Sequence, residues 1–359
     1  MDLGVCMAAG IGDIDHAVLA EELGYSHLWV ADSQMLWSDC YATLALVADR
    51  TAHIRIGTGV AVAGTRSSAV TAAAHATINR IAPGRVFCGV GTGNTAMRVM
   101  GRRPMRIADF DRYLGELRSL LDGDETAVGS DPEVRIRHLM PDTGFVAFAP
   151  RIPMHVSGFG PRAMAAAVRH GDGLVMSVGP RATSVERLWD RLRGVAEEMG
   201  RPIEPDSFST TNLTTMCVLE PGEPADSARV HEQVGAFAIA ALHYQYEQWR
   251  EGGRPEVPGR FSGWDEYVAM LDDTDEAELH QRIHRGHNCW VDPDEERFVT
   301  PDLVAATCMV GTAERLASDL VDLERAGLSQ VMLLPPLAVR DQVLRDVADR
   351  VMPLLGTVS

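Results

Sequence analysis

The chain has 359 residues, 46% of them hydrophobic and 23% charged, with a formal net charge of −17. That length and composition exclude a disordered segment or a small disulfide-stapled module and leave room for one large core, as in an α/β barrel of about 250 residues with insertions. The acidic balance repels nucleic acid and anionic membrane surfaces. All 33 basic residues are arginine and form no concentrated run, so the expected partner is a small-molecule substrate, with no nucleic acid and no membrane. Six cysteines, Cys6, Cys40, Cys88, Cys217, Cys289 and Cys308, lack CxxC pairing and fit reduced thiols. The first residues, MDLGVCMAAGIGDID, lack the basic and apolar regions of a signal peptide, and no apolar run reaches about 18 residues, so the expected location is cytoplasmic.

In chain order, Leu3–Met7 reads as a short apolar strand, and Ile14–Leu23 as a helix stopped by Gly24. His27–Ala31 is the next strand, ending at Asp32-Ser33-Gln34, with a helix at Tyr41–Ala48. A third strand, Ile54–Val62, precedes an alanine-rich helix at Ser68–Ile81 that Pro83-Gly84 closes. The fourth strand runs from Val86 into the glycine-rich turn at Gly93. Its glycines alternate, a third dinucleotide-type glycine is missing at Asn94, and the next helix is expected only at Ile107–Leu121. The stretch is therefore a weak Rossmann loop, and its glycines are expected to make room for a cofactor ring.

Residues 124–150 break the rhythm. Val134–Arg137 and Phe145–Phe148 alternate like the arms of a surface hairpin around Pro141-Asp142. Strand Pro153–Ser157, helix Pro161–His170, strand Gly173–Ser177, helix Ser184–Met199 and strand Ser209–Leu219 resume the alternation. A second break, 220–309, holds an apolar helix at Val230–Tyr246, a Gly/Pro-rich piece at Gly252–Gly263 and a helix at Trp264–His284, and reads as a lid. Helix Thr312–Ala326, strand Gln330–Pro335 and helix Val339–Leu354 complete about eight units. The expectation is one (β/α)8 TIM barrel with a hairpin insertion and a helical lid after strand seven, and an active site at the C-terminal ends of the strands. A doubly wound open sheet is the competing fold.

Several stretches carry a resemblance. ADSQMLW, IRIGTGVAVAGTRSSAV, TINRIAPGRVFCGVGTGN, IPMHVSGFGPRAMAAAVRHGDGLV and VGTAERLASDLVDLERAGLSQVMLLPP together resemble the bacterial luciferase-like flavin and deazaflavin oxidoreductase superfamily. The Gly158-Phe159-Gly160-Pro161 turn is similar to that of the branch containing methylene-tetrahydromethanopterin reductase, which uses coenzyme F420. The resemblance implies F420, with FMN as the alternative, and a homodimer or larger homo-oligomer. It also implies a non-prolyl cis peptide at Gly59-Val60 under the cofactor ring.

On this basis Thr58, Gly59, Val60, Gly91, Thr92, Gly93 and Asn94 are candidates for the cofactor's ring and ribityl chain. Ser157, Gly158, Phe159, Gly160 and Pro161, with Ser177, Val178 and Gly179, are candidates for its phosphate, since a Gly-x-Gly-Pro turn opening a helix presents backbone N–H groups. Arg66, Arg102 and Arg103 are candidates for an anionic tail or are surface arginines. Asp32 is a candidate catalytic residue or the N-cap of the next helix. His280, His284 and His287 would share one helix face if that helix continued. His284 and His287 are candidates for proton transfer, and no metal is assigned. Gln34, Trp37, His243, His280 and Asn288 are candidates for the substrate pocket. The function implied is F420-dependent hydride transfer to or from a small organic substrate. The alternatives are an FMNH2-dependent monooxygenase or a non-catalytic cofactor-binding homologue.

Overall fold

A computed structural model describes residues 1–129, 131–255 and 261–356, so part of the predicted Gly252–Gly263 piece lies outside the described residues. In chain order the elements begin β1 (Asp2–Met7), α1 (Ile14–Glu22), β2 (His27–Val30), α2 (Cys40–Arg50), β3 (Arg55–Val62), α3 (Ser68–Ile81), β4 (Val86–Gly91), α4 (Asn94–Arg98) and α5 (Ile107–Leu121). They continue with β5 (Thr126–Val128), β6 (Asp131–Ile136), β7 (Met154–Ser157), α6 (Pro161–His170), β8 (Gly173–Met176), α7 (Ala182–Glu198), β9 (Ser209–Thr214) and β10 (Met216–Val218). The last are α8 (Ala228–Glu251), α9 (Trp264–Asp272), α10 (Leu279–Ile283), α11 (Pro301–Thr307), β11 (Met309–Gly311), α12 (Ala313–Arg325), β12 (Gln330–Leu333), α13 (Arg340–Arg350) and α14 (Met352–Leu355).

The strands close into a barrel in the order β1-β12-β9-β8-β7-β4-β3-β2. This is the expected (β/α)8 architecture, in which the strands' C-terminal ends share one mouth. Two compact units divide the chain. One comprises Met1–Met176, Glu186–Asn212 and Gly327–Val331; the other comprises Ser177–Val185, Leu213–Ala326 and Met332–Ser359.

Local chemistry starts and stops the helices where the sequence indicates. Asp39 accepts a hydrogen bond from Ala42 N at 2.9 Å to cap α2, and Ser67, Ser227 and Thr312 cap α3, α8 and α12. Just past α1, Gly24 sits at φ +85°, a conformation favourable only without a Cβ.

Inside the first unit, bulky rings fill the barrel where branched aliphatics are usual. Trp29 of β2 lies 4.3 Å, centroid to centroid, from Phe87 of β4 and 5.6 Å from His155 of β7, and its Nε1–H donates to Gln330 Oε1 at 2.9 Å. Glycines on the strands make space for them. A Cβ on Gly57 would stand 2.3 Å from the Phe87 ring, one on Gly59 would stand 2.6 Å from Trp29 Cβ, and one on Gly89 would stand 2.2 Å from Thr58 O and 2.8 Å from the Trp29 ring. The expectation that the strand-four glycines receive a cofactor ring is thus corrected at Gly89, whose space the protein's own tryptophan occupies.

Five further corrections concern elements. The Val86–Gly93 turn opens directly into α4, with Gly93 at φ +83° before Asn94, so the next helix is immediate. The hairpin pairs β5 with β6, whereas Pro141–Thr143 is a 3-10 turn. Phe145–Phe148 is not a strand, because its backbone docks on α3: Ala147 N donates to Ala76 O, and Asn79 Nδ2 donates to Ala147 O. The predicted Trp264–His284 helix breaks into α9 and α10 at Asp273-Thr274-Asp275, where Asp275 Oδ1 accepts from Ala277 N and competes with helical bonding. Strand seven ends in the barrel at Thr214, and its continuation, β10, pairs in parallel with β11, an unexpected short strand at the end of the second insertion.

Two outcomes follow from this interior. Gly89→Ala places a methyl against backbone that cannot swing away and is expected to cost about 1–3 kcal/mol or more, read as a lowered urea midpoint with unchanged slope. Burial pushes His27 down to about 3, and His75 and His155 to about 4. The unfolded chain therefore binds protons from about pH 6.5 downward that the fold refuses, so these three contribute stability above that pH and lose it as pH falls toward 4. The denaturation midpoint should decline across this window, and His75→Gln should flatten the decline.

Candidate active site

The C-terminal end of β3 is where the first unit opens. Gly59 and Val60 are half-exposed in a strand whose flanking residues are buried, and the peptide between them is cis, as the resemblance implied. The pairing of β3 with β4 skips at this point, between Thr58 and Ala61. Gly91 ends the neighbouring strand, and a Cβ there would lie 3.0 Å from Val60 Cγ2 and 3.2 Å from Ser157 Cβ. Val60 and Ser157, both half-exposed, therefore pack together over the buried Gly91. Thr92 and Asn94 are half-exposed beside it, while Asn94 Oδ1 accepts from Arg98 Nε at 2.9 Å.

Past Ser157, the backbone of Gly158 packs against Ala163, Phe159 is exposed and its carbonyl accepts from Arg191 Nη2, and Gly160-Pro161 opens α6 with no side-chain cap. Its first-turn N–H groups have no capping side chain. Thr58, in contrast, is fully buried. Its hydroxyl donates to Gly89 O at 2.6 Å and lies 3.1 Å from His75 Nε2, so its side chain is committed to the core.

Asp32, at the end of β2, anchors a polar latch. Arg66 Nη1 lies 3.1 and 2.9 Å from its two oxygens, Val62 N donates to Oδ2 at 3.1 Å, and Gln34 Nε2 donates to Oδ1. Burial raises the Asp32 pKa, against the opposing pull of Arg66. Arg66 also donates to Asp39 Oδ2 at 2.9 Å and stacks 4.6 Å from the Tyr41 ring centroid. Its charge is balanced within the fold rather than offered to an anionic tail. Gln34 Oε1 remains buried without a hydrogen-bond partner among the described residues. Arg102 and Arg103 are exposed.

The second unit gathers a different set. His243 on α8 and His284, just past α10, are each 2% exposed, and His287 is half-buried on the turn that follows. His243 Nε2 lies 2.9 Å from Glu295 Oε1 and His284 Nε2 lies 2.9 Å from Glu247 Oε1. One ring nitrogen from each of the three histidines lies within 4.8 Å of the other two. Desolvation, followed by the neighbouring His284 and His243, pushes the pKa of His287 well below its ordinary value.

These features, a closed parallel barrel with a half-exposed Gly59-Val60 at its third strand, accompany a match of residues 13–330 to the profile of the luciferase-like monooxygenase family. The chain belongs to this family. It is 24% identical over 326 residues to the 5,10-methylenetetrahydromethanopterin reductase of Archaeoglobus fulgidus, an alignment covering 89% of this chain and 88% of the relative. With several other curated relatives it aligns over only 48 to 66% of their length. Two solved structures share the fold. The coenzyme F420-dependent tetrahydromethanopterin reductase of Methanopyrus kandleri superposes with a TM-score of 0.68 at 18% identity, covering 98% of this chain and 99% of that one. The oxygenating constituent of 3,6-diketocamphane monooxygenase of Pseudomonas putida, in complex with FMN, gives 0.65 at 16% identity, covering 98% of each.

This luciferase-like chain is an enzyme of a family whose members include F420-dependent oxidoreductases and flavin monooxygenases. The structure brings Gly59, Val60, Gly91 and Ser157 together, and Asp32 with Gln34 and Arg66. Ser177, Val178 and Gly179 follow β8 in the second unit, where Ser177 Oγ donates to Leu213 O at 3.1 Å and Gly179 backs onto Ala306 O. The expected trio of His280, His284 and His287 is corrected, because α10 ends at Ile283 before His284; His243 joins the cluster in place of His280. Asn288 sits at φ +55°, with Oδ1 buried and unpartnered among the described residues. Trp37 lies on the turn after Asp32, its N–H bonded to Ser33 O. Sequence reasoning missed Glu247 and Glu295, although the four-residue spacing of His243 and Glu247 puts them on one face of α8. No described helix is long and apolar enough to cross a membrane.

Arg66→Met leaves the Asp32 carboxylate buried without its cation and should cost about 3–5 kcal/mol. Combining it with Asp32→Asn should recover part of that loss, measured by a double-mutant cycle in urea.

Proposed function

We propose that this enzyme is an F420-dependent oxidoreductase transferring hydride to or from a small organic substrate. The observation carrying the reading is the half-exposed Gly59-Val60 pair near the end of β3, with the half-exposed Ser157 meeting Val60 over the buried Gly91. When bound, the deazaflavin supplies a carbon that donates or accepts hydride and that does not usefully activate oxygen.

The chain's own residues fit such a group. Val60 would offer apolar contact to a planar ring, with the half-exposed Ser157 as a neighbouring hydroxyl. The uncapped first turn of α6, opened by Gly160-Pro161, offers N–H groups and a positive dipole end to a phosphate. Gln34 Oε1, buried and unpartnered among the described residues, is a ready acceptor for an N–H. Asp32 acts here as a positioning residue: its carboxylate holds Gln34, Val62 and Arg66 in place, and so fixes the loops around the mouth. Support for the deazaflavin over FMN comes from the Gly158-Phe159-Gly160-Pro161 turn and from the relationship over most of the chain to a methylenetetrahydromethanopterin reductase.

Fluorescence titration of the purified protein with F420 and with FMN tests the reading. F420 should bind at least about tenfold more tightly, and Gly91→Val, whose side chain would displace Val60 and Ser157, should weaken it about tenfold or more, equivalent to about 1.4 kcal/mol. Tighter FMN binding, together with substrate-coupled oxygen uptake in the presence of reduced FMN, would overturn it in favour of a monooxygenase.

A further inference from the structure

The histidine cluster of the second unit has no role in hydride transfer as proposed above, and its arrangement has a chemistry of its own. His243 and His284 use Nε2 toward Glu295 and Glu247, which leaves Nδ1 of each as the remaining nitrogen. Both Nδ1 atoms are buried and without a hydrogen-bond partner among the described residues. The cluster nevertheless brings one nitrogen from each of three imidazoles within 4.8 Å of one another.

We propose that His243, His284 and His287 bind one divalent first-row transition ion, zinc foremost. Three imidazoles and no oxygen ligand in the set select against magnesium and calcium and suit zinc, cobalt or nickel. A carboxylate accepting the other ring N–H of a ligating histidine is the arrangement that orients metal-bound imidazoles, and here it occurs twice, with Glu247 5% and Glu295 0% exposed. Charge agrees, because a dication offsets two buried carboxylates beside three neutral rings. In a tetrahedral zinc site the ligand nitrogens stand roughly 3.3 Å apart, so binding draws the three rings together by small side-chain rotations.

The rival arrangement is a pair of buried imidazolium–carboxylate pairs. It would leave the Nδ1–H donors of His243 and His284 buried with nothing to accept them, and it would hold two cationic rings with centroids 6.3 Å apart. Such unsatisfied buried donors are costly. A metal takes the same two lone pairs without either penalty. With three protein ligands the ion keeps an open position for water or another group, as in sites where zinc does chemistry.

The test uses the full-length chain, stripped with chelator and dialysed against zinc or cobalt. Elemental analysis should find about one ion per chain, and cobalt should give the strong visible absorption of a four- or five-coordinate ion. His284→Ala should abolish both signals. Glu295→Gln, which keeps the shape but weakens the orienting carboxylate, should lower zinc affinity about 10- to 100-fold. The exposed His53→Ala should change neither. Failure to take up any ion, uptake unchanged in His284→Ala, or unchanged affinity in a folded Glu295→Gln would each overturn the assignment. These readouts need no cofactor, so failure of the F420 titration leaves them intact, and their failure leaves that titration intact.

Discussion

The fold's first unit depends on how its barrel is filled. Trp29 and Phe87, with His155 at their edge, occupy a volume that layers of valine and isoleucine fill in most eight-stranded barrels. Rings of that size fit only because Gly57, Gly59 and Gly89 withdraw their side chains, and because Gln330 satisfies the indole N–H that would otherwise be buried alone. Gly59, the half-exposed one of the three, also bares the backbone near the end of β3, so packing within the barrel and exposure beside Val60 meet at one residue.

The Asp32–Arg66 pair extends that order outward. Arg66 reaches Asp32 at the end of β2, Asp39 at the cap of α2 and the face of Tyr41, while Asp32 also holds the backbone of β3 at Val62. The carboxylate thereby ties β2, β3 and the cap of α2 together through one residue.

How much was legible follows from the range of the interactions involved. The alternation of apolar strands and amphipathic helices, with glycine stops such as Gly24 and serine and threonine caps, is local, and it predicts the barrel and nearly all its elements. The outcomes that differ are set by distant partners. Phe145–Phe148 alternates like a strand but spends its backbone bonds on α3, and Gly89 looks like a cofactor glycine until Trp29 is found beside it. Likewise, His243 lies forty residues or so before His284 in sequence, and only the return of the chain after α8 puts their rings together. The pairing of β10 with β11 across the whole second insertion has no local signal beyond two short apolar runs.

That small parallel sheet fixes the ends of the second insertion. With Met216 registered against Met309, the chain leaves and re-enters through adjacent strands, so the segment that carries α8 to α11 begins and ends side by side. The entropy of closing a chain segment grows only slowly with its length. The histidine-bearing insertion thus hangs from neighbouring points, as a page hangs from its binding, and its long span of sequence returns to where it started.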